Sequence, residues 1–127
     1  MNYLCLDYGD KHLGLAIAST PLAEPLLTIS TSQAAQLLPG IIDNHHIDHI
    51  IIGLPEGKVG ESVKKFAASL EELTHLPITL HDETLTSQQA SQHLKTAKKK
   101  KRTGPDHHFA AALILQDYLD FVPKQQL

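Results

Sequence analysis

The feature that most constrains the fold is an unbroken apolar run near the N-terminus that ends on an acid. Residues 3–6, with the sequence Tyr-Leu-Cys-Leu, lead directly into Asp7. A continuous apolar run is typical of a central β-strand that is covered on both faces. A carboxylate at the end of such a strand is costly to desolvate, so it needs a strong partner or a place at a solvent-exposed edge. Asp7 is therefore the first candidate functional residue.

A second strand follows the first after a tight turn. Gly9 and Asp10 supply turn chemistry, and large apolar residues then alternate with glycine and alanine over residues 13–18. This pattern predicts an antiparallel start to the sheet. Because Gly9 and Gly14 are minimal in size, we expect another segment to come close to the backbone beside Asp7.

Strand and helix patterns alternate in the rest of the chain. The predicted strands cover residues 23–30, 47–53 and 76–81, and the predicted helices cover about 33–42, 61–74, 87–96 and 106–121. Pro25 indicates an edge strand or a strand start, Pro39 a kink or break in the first helix, and Pro123 the end of the last helix. Alternating strands and helices imply parallel pairing through right-handed crossovers. We therefore predict an α/β fold, a mixed five-stranded sheet flanked by helices, as one domain over residues 1–127.

Composition restricts the classes of protein to consider. The sequence has no apolar run of about 18 residues, so no membrane span is expected. Residues 1–3 run straight into a strand pattern and lack the basic segment of a signal peptide. The single cysteine, Cys5, lies in the apolar run, where we expect a small core residue and no disulfide. Together these observations predict a cytoplasmic protein.

The positive charge is concentrated in one segment. Six of the eleven Lys and Arg residues lie between Lys95 and Arg102, whereas the preceding part of the chain is acidic. Such a segment suits a phosphate backbone, but a solvated loop would look the same, and the charge run alone favours the loop. We expect a mobile basic loop at about residues 96–105.

Several carboxylates are predicted to meet at one edge of the sheet. In mixed α/β sheets ligands bind at the carboxyl ends of the parallel strands. Asp7 ends the first strand, Asp82 and Glu83 follow the last strand, and Asp106 opens the last helix. Crowded carboxylates are tolerated around a divalent cation, and Mg²⁺ prefers oxygen ligands. Each acid also has a purely structural explanation at a helix N-terminus, which is favoured for Asp82, Glu83 and Asp106 taken singly.

The chain contains nine histidines, and their clustering invites a metal site. His45, His46 and His49 lie between a helix and a strand without a surrounding ligand pattern, so zinc is not expected there. His107 and His108 adjoin Asp106 and could contact a phosphate or a bound water. A solvated first helical turn is the favoured interpretation of that pair.

Five segments, taken in order, carry a resemblance to a known family. They are LDYGDKHLGLAIAS, IIIGLP, FAASL, LPITLHDETLTS and DHHFAAALILQDYL. Together they resemble the YqgF/RuvX family over about residues 2–119. That family is described as Holliday junction resolvases and as nucleases that mature the 5′ end of pre-16S ribosomal RNA. The resemblance implies the RNase H-like fold.

The resemblance also implies a site. It makes Asp7, Glu83 and Asp106 a catalytic triad that binds Mg²⁺ or Mn²⁺, with Asp82 the weaker alternative to Glu83. Three departures stand out: Thr84 occupies the place of the family's arginine, the loop after Pro55 is shorter than usual, and the loop before Asp106 is unusually rich in lysine. The lysine-dense loop could replace the lost positive charge.

These observations favour a metal-dependent nuclease acting on pre-ribosomal RNA, as a monomer or weak homodimer. A set of basic side chains would bind the substrate backbone: Lys11, Lys98, Lys99, Lys100, Lys101 and Arg102. The alternatives are a Holliday junction resolvase acting on branched DNA and a catalytically weak nucleic-acid-binding module. A nucleotide-binding ATPase of the actin or sugar-kinase type is disfavoured because 127 residues leave no room for its two domains.

Overall fold

A mixed five-stranded sheet forms the centre of the computed structural model, which describes residues 1–9, 11–54, 59–82 and 107–126. The strands are β1 (Tyr3–Tyr8), β2 (His12–Ala18), β3 (Glu24–Ser30), β4 (His49–Leu54) and β5 (Ile78–Asp82). The helices are α1 (Ala34–Asn44), which a 3-10 turn (Thr31–Gln33) precedes, α2 (Val59–Thr74) and α3 (His107–Gln126).

The order of the strands in the sheet is β3-β2-β1-β4-β5. The first three strands pair antiparallel, and β4 and β5 continue the sheet parallel to β1. The predicted fold class is therefore confirmed, and the strand that contains Pro25 lies at an edge as expected. The predicted helix over 87–96 and the basic loop over 96–105 lie outside the described residues.

Proline had less effect on the helices than the sequence predicted. α1 continues through Pro39 to Asn44, and the backbone of α3 remains helical through Pro123 to Gln126. Proline removes one backbone donor from a helix. In α1 the apolar side packs into the core through Leu38 before that position and Ile42 after it, which offsets the missing hydrogen bond. The predicted break and the predicted end were both wrong.

The two faces of the sheet differ in the size of their side chains. One face carries large aliphatic residues such as Leu4, Leu6 and Ile52, which pack under α1 and α2. The other face carries small residues such as Cys5 and Ala16, and α3 packs on it. Alternation along each strand separates the two sets. Small residues on one face let α3 lie close to the sheet. Across the described ranges, no helix is long and apolar enough to span a membrane.

We predict that Cys5 is unreactive in the folded protein. Burial beneath α3 raises the pKa of the Cys5 thiol well above its ordinary value, and the negative charge of Asp7 raises it further. A buried neutral thiol is a poor nucleophile. Native protein at pH 8 should therefore not react with a chromogenic disulfide reagent, whereas denatured protein should release one equivalent of chromophore. Rapid reaction of the native protein would contradict the packing of α3 on the sheet.

Candidate active site

Asp7 occupies the centre of a row of residues that crosses four strands. The register pairs Asp7 with Gly14 of β2 on one side and with Gly53 of β4 on the other, and Gly53 pairs with His81 of β5. Residues paired across neighbouring strands share a face, and this row lies on the face that α3 covers. A glycine on each side leaves the flanks of the Asp7 side chain free of Cβ atoms.

Gly14 is the point at which α3 touches the sheet beside Asp7. A Cβ atom at Gly14 would lie 2.7 Å from the Cβ of His107 and closer still to the backbone carbonyl of His107. Only glycine fits this contact without displacing the helix. The first turn of α3 thereby comes to rest next to Asp7, and His107 Nδ1 lies 3.9 Å from Asp7 Oδ2. The close approach expected beside Asp7 is confirmed, and the approaching element is α3.

The two histidines at the start of α3 pack against the sheet. The His107 ring stacks on His12 with centroids 5.5 Å apart and an interplanar angle of 15°. His108 Nδ1 lies 2.9 Å from the hydroxyl oxygen of Thr28 on β3. The expectation of a solvated first turn was therefore wrong, since both rings are half-buried. Gly14 was the sequence signal for this contact, although nothing in the sequence shows which segment fills the space.

Asp7 lies at a solvent-exposed edge beside the N-terminus of a helix. Its side chain is 26% exposed, so it reaches solvent at the carboxyl end of β1. The N-terminus of a helix carries a partial positive charge that favours anions, and the N-terminus of the long helix α3 lies beside Asp7. Asp7 therefore combines partial burial and solvent access with the partial positive charge of a helix N-terminus.

Of the other residues in the predicted triad and basic set, the structure describes only Lys11, and Asp82, the alternative to Glu83, is the last residue of β5. Lys11 is exposed between β1 and β2, and its backbone carbonyl accepts a hydrogen bond from the Thr31 amide at 3.0 Å. Glu83, Asp106 and the basic residues Lys98, Lys99, Lys100, Lys101 and Arg102 lie outside the described residues. In the sequence, Glu83 directly follows β5 and Asp106 directly precedes α3.

A second polar cluster lies between β5 and α3. His81 Nε2 donates a hydrogen bond to Asp117 Oδ2 at 2.7 Å, and the His81 and Tyr118 rings pack in a T-shaped arrangement with centroids 5.5 Å apart. Burial raises the pKa of Tyr118, with Tyr3 adding to the shift and a hydrogen bond with Thr79 opposing it. His81 is largely buried in this contact. Its partner Asp117 was missed because 36 positions separate the pair.

His49 of β4 lies next to this cluster, in contact with Thr79 and Tyr118. Its Nε2 lies 2.7 Å from the Thr79 hydroxyl oxygen, and burial lowers the pKa of His49. Within the described ranges, no group of three or more His, Cys, Asp or Glu side chains could hold a metal ion.

This fold, with an acid at the end of its central strand, defines an RNase H-like protein. Thermus thermophilus RuvC in complex with Holliday junction substrate aligns with a TM-score of 0.60 at 14% identity, over 94% of this chain and 93% of RuvC. The fowlpox virus Holliday junction resolvase aligns with a TM-score of 0.59 at 12% identity, over 94% and 99% of the two chains. Both are likenesses of fold.

Sequence comparison identifies the family. The profile of RuvX, described as Holliday junction resolvase, matches residues 1–121. A Rickettsia rickettsii protein named "Putative pre-16S rRNA nuclease" is 39% identical over 94% of this chain and 86% of its own length. A protein of the same name from Chlamydia trachomatis is 34% identical over 93% and 90%. The chain belongs to the RuvX (YqgF) family, as the sequence motifs indicated.

We predict that Gly14→Ala destabilises the protein and moves α3 away from Asp7. The added methyl group meets the backbone of His107, and overpacking of this kind costs about 1–3 kcal/mol. Denaturant unfolding measures the loss. Gly40→Ala in α1 is the matched control, because a Cβ there meets nothing within 4 Å. That variant should gain up to about 1 kcal/mol from helix propensity. Equal stability of Gly14→Ala and wild type would contradict the close contact.

Proposed function

We propose that this protein is a divalent-metal-dependent endonuclease that processes the 5′ end of pre-16S ribosomal RNA in the cytoplasm. The observation that carries the proposal is the meeting of Asp7, at the end of β1, with the first turn of α3, which Asp106 directly precedes. The relatives named as pre-16S rRNA nucleases support the substrate.

The proposed metal ligands are Asp7, Glu83 and Asp106. The parallel strands β1, β4 and β5 are neighbours, so the chain leaves each of them at the same edge of the sheet. Glu83 follows β5 there, and His81, two positions earlier, lies in the same row as Asp7. Three carboxylates form a hard oxygen donor set that fits Mg²⁺ or Mn²⁺.

The bound ion would lower the pKa of a coordinated water and stabilise the charge of the phosphoryl transition state. The residues of the chain would supply binding and orientation. Asp7 is held by β1 and by the contact of α3 with Gly14, so its carboxylate is positioned before substrate arrives. The positive end of α3 favours a phosphate beside Asp7. Lys11 and the basic segment at Lys98, Lys99, Lys100, Lys101 and Arg102 would bind the RNA backbone.

A Holliday junction resolvase acting on branched DNA is the second candidate function. The description of the family and the two solved resolvases favour it. A resolvase should act as a two-fold dimer that matches its junction, whereas the RNA-processing activity is compatible with a monomer or weak homodimer. Cleavage of a precursor-rRNA leader, with a four-way DNA junction left intact, would support the first function. The reverse preference would support the second.

We predict that Asp7→Asn abolishes cleavage and preserves RNA binding. Removing one carboxylate ligand should lower the rate more than roughly 100-fold, beyond what outer-shell changes cause. The measurement is the rate of leader cleavage with Mn²⁺, alongside RNA affinity without a divalent ion. Asp43→Asn, an exposed acid on α1, is the control and should be as active as wild type. Unchanged cleavage in Asp7→Asn would remove Asp7 from the mechanism. Binding without cleavage in the wild type would instead indicate a binding module, as Thr84 in place of the family's arginine suggests.

We predict that neutralising the basic segment weakens binding in a salt-dependent way. Replacing Lys98, Lys99, Lys100 and Lys101 with glutamine should reduce the slope of log affinity against log salt by up to about 3, since each phosphate contact contributes about 0.7 for a single strand. Glutamine at Lys64 and Lys65, both exposed on α2, is the control and should leave the slope unchanged. An unchanged slope in the quadruple variant would show that the segment is only a solvated loop.

A further inference from the structure

The edge strand β5 is joined to α3 by side-chain hydrogen bonds. His81 donates to Asp117, with the two side chains 12% and 16% exposed, and Thr79 is hydrogen-bonded with Tyr118. The Thr79 hydroxyl is also hydrogen-bonded with His49 of the neighbouring strand β4. We refer to His81, Thr79, Asp117 and Tyr118 as the β5–α3 latch.

On β5 the latch replaces the apolar packing that the middle of α3 makes on β1, β2 and β4. On β1, β2 and β4 the helix covers residues such as Cys5, Ala16 and Ile51, whereas on β5 the same face presents Thr79 and His81. Ile78 and Leu80 pack on the opposite face of the sheet. Apolar contact is non-directional and tolerates small sliding movements, but a hydrogen bond requires a fixed distance and angle. The latch therefore fixes the position of β5 along α3.

The two elements that the latch joins lead directly to two of the proposed metal ligands. His81 precedes Glu83 by two residues, and α3 begins one residue after Asp106. A helix rises 1.5 Å per residue, so about 15 Å of α3 connects Asp117 to its first residue, His107. That first residue packs on Gly14 and lies against Asp7.

We propose that His81 and Asp117 are positioning residues that fix the end of β5 relative to Asp7 and to the first turn of α3, and that metal binding at the proposed site depends on this arrangement. The inference rests on the proposed function. It adds a second requirement to the site: the contact at Gly14 holds the start of α3 against Asp7, and the latch holds the end of β5 relative to both. Breaking the latch should leave the helix on β1 and β2 while loosening the end of β5.

The test measures Mn²⁺ binding by calorimetry without nucleic acid, and then the kcat and KM of leader cleavage. His81→Leu removes the hydrogen bond and puts an apolar side chain of similar length in its place. Asp117→Asn is the conservative variant, because its amide oxygen still accepts from His81. Gln116→Ala is the matched control: Gln116 is the neighbour of Asp117 on α3, and its amide meets Ala23 and Pro21, away from β5.

We expect His81→Leu to weaken Mn²⁺ binding by roughly 10-fold or more, as outer-shell changes at metal sites do. Its kcat should fall with little change in KM. Asp117→Asn should retain Mn²⁺ affinity within about 3-fold, since the hydrogen bond survives in neutral form. Gln116→Ala should bind Mn²⁺ as wild type does even if its melting temperature drops. Thr79→Val, which exchanges a hydroxyl for a methyl group, is the milder test if His81→Leu does not fold, and should also weaken Mn²⁺ binding.

The outcomes separate the latch from the function on which it rests. If Asp7→Asn loses Mn²⁺ binding while His81→Leu and Thr79→Val bind Mn²⁺ as wild type does, the latch is merely structural and the inference fails alone. If wild-type protein neither binds Mn²⁺ saturably nor cleaves RNA, the proposed function fails and the inference fails with it. An equal loss in Gln116→Ala would attribute the effect to general destabilisation and would also overturn the inference.

Discussion

The contact between the first turn of α3 and Gly14 is the constraint on which the rest of the site depends. On β1 and β2 the α3 face of the sheet carries glycine, alanine and cysteine where the opposite face carries leucine and isoleucine. At Gly53, as at Gly14, an added Cβ would strike the helix, in this case 2.6 Å from the Ile114 side chain. The side chains under α3 are therefore small for a geometrical reason. The sheet must admit a helix closely enough to place its N-terminus beside Asp7.

This arrangement explains how an acid is tolerated at the end of a buried strand. Asp7 lies where the central strand reaches solvent and where the helix N-terminus supplies partial positive charge. The same environment suits a phosphate or a metal-bound water. A feature that is unfavourable for stability in isolation thus becomes useful once the helix is in place. The family to which the chain belongs contains proteins named as nucleases, which agrees with that use.

The sequence predicted the sheet well because strand patterns depend on local alternation. The apolar run before Asp7, the proline in β3 and the alternation of strands with helices were enough to predict the mixed sheet and its edge. Side-chain partners were harder to predict, because a pair such as His81 and Asp117 depends on how a helix docks far along the chain. The histidines of α3 were misassigned for the same reason. Gly14 in the sequence predicted a close contact, but only the structure shows that His107 is the residue that contacts Gly14.

The effect of the prolines was also hard to predict from the sequence. A proline in the sequence shows that one backbone hydrogen bond is lost, whereas the continuation of α1 depends on how much of its apolar side is buried.

We propose that Asp7 shares a metal ion with Glu83 and Asp106, and the most direct test is a crystal structure of the protein soaked in Mn²⁺. We predict a peak of anomalous scattering from Mn²⁺ in contact with the carboxylates of all three residues. A peak that involves neither Glu83 nor Asp106, or an Asp7 carboxylate without a metal contact in active protein, would contradict it.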